Sequence, residues 1–86
     1  MDSQGLQNRR LVGAAINRFR EEQGLSLRKL AHMVGMDYAY ICSIEGGKAN
    51  PTLDALSKIA SGLDVEIVDL FTRNDGGPDY AMSKLK

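Results

Sequence analysis

Apolar residues recur along this chain at helical spacing, and no stretch alternates in the manner of a β-strand. Val12, Ala15, Ile16 and Phe19 stand at i, i+3, i+4 and i+7, one face of an amphipathic helix predicted from about Arg9 to Gln23. Asn8 is placed to cap its start and Gly24 to stop it. Arg9, Arg10, Asn17, Arg18, Glu21 and Glu22 take its outer side. Leu25 then plugs the core between this helix and the next. Leu30, Ala31 and Val34 share one face of a second helix, about 27–34, opened by Ser26 and closed by Gly35. Asp37 opens a third, about 38–46, with Tyr40, Ile41 and Ile44 on its inner face and Gly46-Gly47 at its end. After the turn signal Asn50-Pro51, Thr52 caps a fourth helix at about 53–61, with Leu53, Leu56, Ile59 and Ala60 as its buried stripe and Gly62 as its stop. A short fifth helix, Glu66 to Phe71, follows. The pattern predicts an all-α, five-helix domain over residues 9–71, with an N-terminal arm (1–8) and a C-terminal tail (72–86) broken by Gly-Gly-Pro.

The segment from Ser26 to Lys48 organises the rest. Small Ala31 lets the second and third helices cross closely, and Gly35 supplies the left-handed residue of the turn. Ile41 and Ile44 lock the third helix onto the second. This is the pattern of a helix-turn-helix, which lays its second helix in a DNA major groove.

Composition narrows the function more than it defines it. The 86 residues are 43% hydrophobic and 26% charged, the balance of one small folded domain. One cysteine allows no internal disulfide and no Cys-rich metal site. A single His, with no nucleophile beside a base and no phosphate-binding glycine loop, argues against an enzyme, a metal and a cofactor. No run has the length of a signal peptide or a membrane span, so a cytoplasmic location is expected. The net charge is zero, where a nucleic-acid binder is expected to be basic. Residues 1–53 carry seven Lys/Arg and five Asp/Glu (+2), and residues 54–86 carry four and six (−2). The positive end lies with the helix-turn-helix, so DNA binding would rest on a few local phosphate contacts.

The ordered set GLSLRKLA, the VGM turn, YICSIEGGK, NPTLDALSKIASGL and DLF resembles the Cro/CI-type, or XRE, helix-turn-helix regulators over about residues 9–71. The part from Met36 through Phe71 is most similar to the small regulators of this family, including controller proteins of restriction–modification systems. The resemblance implies a homodimer on a palindromic operator, paired through the last helix, where Ile67, Val68, Leu70 and Phe71 are more apolar than one core-facing side requires. It implies an Arg–Glu tie between helices 1 and 3, here Arg20 and Glu45. By position in the motif, Tyr38, Ala39 and Ser43 would face base edges. The departure from the common pattern is that this helix offers no Arg, Lys, Gln or Asn for bidentate readout. Ser26 and Leu27 at the start of helix 2, Arg28 and Lys29 after them, and Lys48 and Asn50 beyond helix 3 are the expected phosphate contacts. Tyr40, Cys42, His32, Met33 and Met36 read as packing or solvated positions. The alternative reading is a protein-interaction module, or an antitoxin, that keeps the fold with weak or no DNA binding. Tyr80, Met82 and Leu85 in the tail are the residues such a partner would take.

Overall fold

Each helix start that carries a Ser, Asp or Thr signal is capped by that side chain. The computed structural model describes residues 3–72 and contains α1 (Ser3–Glu22), α2 (Leu27–Val34), α3 (Tyr38–Glu45), α4 (Leu53–Gly62) and a closing 3-10 helix (Ile67–Phe71). Ser26 Oγ accepts from the Lys29 N–H at 3.0 Å, Asp37 Oδ2 from Tyr40 at 3.2 Å, and Thr52 Oγ1 from Ala55 at 3.0 Å. Each satisfies one of the N–H groups that a helix leaves free in its first turn. Gly35 ends α2 in the left-handed region at φ +67°, and its neighbour Met36 donates back to the Ala31 carbonyl at 3.0 Å. That closes the turn between α2 and α3 with no Cβ in the way.

Four expectations are corrected. α1 begins at Ser3, so Asn8 lies inside the helix and there is no arm over 3–8. These residues contain no proline, and a helix already nucleated extends cheaply. They also have something to pack on: Gly5, Asn8 and Arg9 line a groove with Leu53 and Phe71. Leu53 is not part of the buried stripe of α4; it is 68% exposed, and Ala55 takes its place beside Leu56, Ile59 and Ala60. By the 100° helical step Leu53 shares the side of Leu56 and Ala60, so its exposure comes from its place as the first residue of α4, where it borders an open groove with Phe71. Gly62 is the last residue of α4 and not its stop, since the left-handed residue is Asp64 at φ +60°. Asp tolerates that region better than most residues. The fifth element is a 3-10 helix, so the described residues form four α-helices and not five. Five residues are too few for an α-helix to gain much, and a capping box clamps the turn: Glu66 N–H donates to Asp69 Oδ2 at 2.9 Å. The tail from residue 73, including Tyr80, Met82 and Leu85, lies outside the described residues.

The core is contiguous. Ile16, Leu30, Ile41, Ile44, Ile59, Leu63 and Leu70 are fully buried, with Val12, Ala31, Leu56 and Ala60 around them. Helix α1 packs on α3 and on the 3-10 helix, and α2 packs on α3 and α4. Gly13 sets the first of these contacts. A Cβ built there would stand 2.5 Å from the Glu45 carbonyl oxygen, so α1 and the end of α3 approach as closely as backbones can. Among the described residues, no helix is long and apolar enough to cross a membrane.

Candidate nucleic-acid interface

Ile41 and Ile44 bury one face of α3 and thereby turn the opposite face outward. Tyr38, Ala39 and Cys42 are exposed on it, and Ser43 is half-buried at its edge. Tyr40 is half-buried against the core, as its place beside Ile41 requires. The N–H groups of Lys48 and Ala49 donate to the Ser43 carbonyl at 2.9 and 3.2 Å, so the loop that leaves α3 is tied to its last turn. Lys48 and Asn50 are both exposed on that loop.

The same end of α3 is held by a polar clamp. Arg20 Nε donates to Glu45 Oε2 at 2.7 Å and Arg20 Nη2 to Glu45 Oε1 at 3.0 Å, a bidentate pair. Its side chains are only 12% and 9% exposed. Arg20 Nη1 also donates to the Leu25 carbonyl at 2.7 Å. One guanidinium thus joins α1, the α1–α2 connection and α3. The hydrogen bond from Glu45 raises the Arg20 pKa above its ordinary value, ahead of the opposing cost of burial. A third donor is Asn17, which the amphipathic pattern assigns to the solvent side. Its Nδ2 reaches Glu45 Oε1 at 3.1 Å, so that oxygen accepts from both Asn17 and Arg20. Asn17 stands three residues before Arg20, one helical turn away on the same face. That spacing is the only signal in the chain that could have pointed to it.

At the start of α2 the side chains divide. Leu27 packs against the core, leaving only its backbone N–H for an outside ligand. Lys29 is exposed, and Ser26 Oγ is already engaged as the cap. Arg28 does not stand alone: its guanidinium lies over the Tyr38 ring, 4.3 Å from the centroid. The structure thus brings the first turn of α2 and the first residue of α3 together, while Lys48 and Asn50 lie past the far end of α3.

The arrangement of a capped α2, a left-handed glycine, an outward-facing α3 and a glycine stop can now be compared with known proteins. A family model described as helix-turn-helix matches residues 16–70. The chain belongs to the helix-turn-helix family of XRE type. It is 37% identical over 70 residues to the uncharacterised HTH-type transcriptional regulator y4dJ of Sinorhizobium fredii, covering 81% of this chain and 91% of that one. It is 35% identical over 81 residues to the HTH-type transcriptional regulator SinR of Bacillus subtilis, covering 87% and 73%. Among solved structures it is similar to the restriction–modification controller protein C.AhdI of Aeromonas hydrophila, with a TM-score of 0.73 and 32% identity over 76% of this chain and 98% of that one. SinR in complex with DNA gives a TM-score of 0.66 and 37% identity over 69% and 95%. The C.Esp1396I tetramer on its 35 base-pair operator gives 0.68 and 33% over 73% and 83%. SinR and y4dJ are described as HTH-type transcriptional regulators, and the SinR and C.Esp1396I structures are complexes with DNA.

The structure divides the four residues expected to pair two copies. Leu70 is fully buried and Ile67 packs on the core, so neither is offered to a partner as sequence suggested. Val68 and Phe71 are 64% and 45% exposed. A 3-10 helix repeats every three residues, so 67 and 70 eclipse on the inner side and 68 and 71 on the outer. Leu53, absent from the expected set, lines the same groove as Phe71.

Proposed function

We propose that the protein is a sequence-specific DNA-binding transcriptional regulator, acting as a homodimer on an inverted-repeat operator. The observation that carries this is the outward face of α3, Tyr38, Ala39 and Cys42, on a helix clamped by Arg20 and Asn17 through Glu45. Rigid presentation of a recognition helix is what major-groove docking needs. In this reading α3 enters the groove with Tyr38, Ala39 and Ser43 toward base edges. Ala39 meets a thymine methyl, and Ser43 bonds to more than one base. The backbone N–H groups of Leu27 and its neighbour, Lys29, Lys48 and Asn50 clamp phosphates on either side. Val68 and Phe71, with Leu53, form the apolar surface that pairs two copies, setting half-sites about one helical turn (roughly 34 Å) apart. A regulator of this kind works where the chromosome is, in the cytoplasm of a bacterial cell.

The zero net charge, with the absence of an amide or guanidinium on α3 itself, favours one second reading: an interaction module or antitoxin with little DNA affinity. Selection of bound fragments from random DNA, at low and then physiological salt, separates the two. An inverted repeat recovered at both salts is the expected result. Recovery of nothing, or of unrelated fragments at low salt only, refutes sequence-specific regulation.

A further inference from the structure

The outward face of α3 lacks a bidentate donor, yet one stands beside it. Arg28 belongs to α2, but its guanidinium lies 4.3 Å from the centre of the Tyr38 ring, at the end of α3 that meets base edges in this docking geometry. Both residues are exposed. Resting on the DNA-binding reading above, we propose that Arg28 reads a guanine in the major groove, with Tyr38 as the platform that positions it.

Three features lead there. A guanidinium stacked on a ring has one face covered, while its N–H groups lie in its plane and point outward. An in-plane fork of two donors matches guanine O6 and N7, the commonest specific Arg contact in the major groove. The stack also removes rotamer freedom before DNA arrives, so the contact loses less entropy on forming. Second, the neighbours leave this task open. Leu27 is turned into the core, the Lys29 N–H is taken by the Ser26 cap, and Ala39 and Ser43 carry no fork. Third, the stack joins the first turns of α2 and α3, so the reader rides on two capped helix starts and not on a loop. Arg28 is then a specificity residue supplied from the helix that otherwise only braces the motif.

The test uses the full chain and the operator recovered by selection, with each of the four bases placed in turn at every half-site position. Wild-type protein is expected to prefer guanine at one position by about tenfold or more. Arg28→Lys keeps the charge but not the planar fork. It is expected to bring that preference to within about twofold while leaving the salt dependence unchanged. Tyr38→Phe keeps the ring and should retain the preference, whereas Tyr38→Leu should weaken it at the same position. Circular dichroism on each variant confirms the fold. The proposal is overturned if Arg28→Lys keeps the preference and Arg28→Ala weakens every sequence equally, which would make Arg28 a phosphate contact. It is also overturned if Tyr38→Phe loses the preference as fully as Tyr38→Leu, which would assign the contact to the tyrosine hydroxyl, or if both keep it, which would leave the ring no part in placing Arg28. A wild-type protein that selects no shared motif refutes the regulator reading itself and this proposal with it.

Discussion

Glu45 is the residue whose removal should tell most about how α3 is held. Its carboxylate accepts from Arg20 Nε at 2.7 Å, Arg20 Nη2 at 3.0 Å and Asn17 Nδ2 at 3.1 Å, with its side chain 9% exposed. Removing one partner of a fully buried ion pair costs about 3–5 kcal/mol, because the other charge stays desolvated. Water reaches the 12% exposed Arg20 side chain, which also keeps its bond to the Leu25 carbonyl, so Glu45→Ala should cost less, about 2–4 kcal/mol. In a domain of this size that lowers Tm by roughly 10–25 °C. Arg20→Ala should fall in the same range, and Arg20→Ala/Glu45→Ala together should cost about 1–3 kcal/mol less than the sum. Urea denaturation of the four proteins measures each corner of the cycle. The sign of the pH dependence follows from Arg20. Its pKa is raised in the folded state, so its contribution is complete below the unfolded value and is lost only as pH rises through the folded one. Both lie far above neutral, so the cost of Arg20→Ala should be equal at about pH 6 and about pH 9. Single variants that each cost under about 0.5 kcal/mol, the scale of a surface pair, would refute the clamp.

Gly13→Ala should destabilise the domain even though alanine gains about 1 kcal/mol in helix propensity, since its Cβ would meet the Glu45 carbonyl oxygen; a raised Tm would contradict the close approach of α1 and α3. Leu70→Ala should cost about 2–5 kcal/mol of folding stability, while Phe71→Asp should leave the fold intact and shift the chain to monomer in sedimentation. A folded Phe71→Asp variant that still pairs would move the interface elsewhere. Lys48→Ala should weaken binding to all sequences and lower the slope of log affinity against log salt by about 1. An unchanged slope would remove Lys48 from the phosphate contacts.

What the chain settles by itself is local. Ser26, Asp37 and Thr52 cap the helices they precede, because a cap is a bond between residues three apart. Gly35 makes the turn because a left-handed residue is a property of one position. The buried stripes of α1, α2 and α3 follow from the 3.6-residue period, and the family resemblance rests on those same positions. Where sequence misled, the deciding contact was distant. The start of α1 extends to Ser3, where its first turns border a groove with Leu53 and Phe71, more than forty residues away. Asn17 looks like a solvated residue until Glu45, 28 positions on, is brought against it. The 3-10 geometry decides that Leu70 is core and Phe71 is surface, although the two are neighbours of like character. Arg28 and Tyr38 are ten residues apart on different helices, and only the folded turn between α2 and α3 stacks one on the other. Periodicity and capping act within a few residues and can be read from the chain. Which helix meets which, and at what distance, is set by packing the whole core at once.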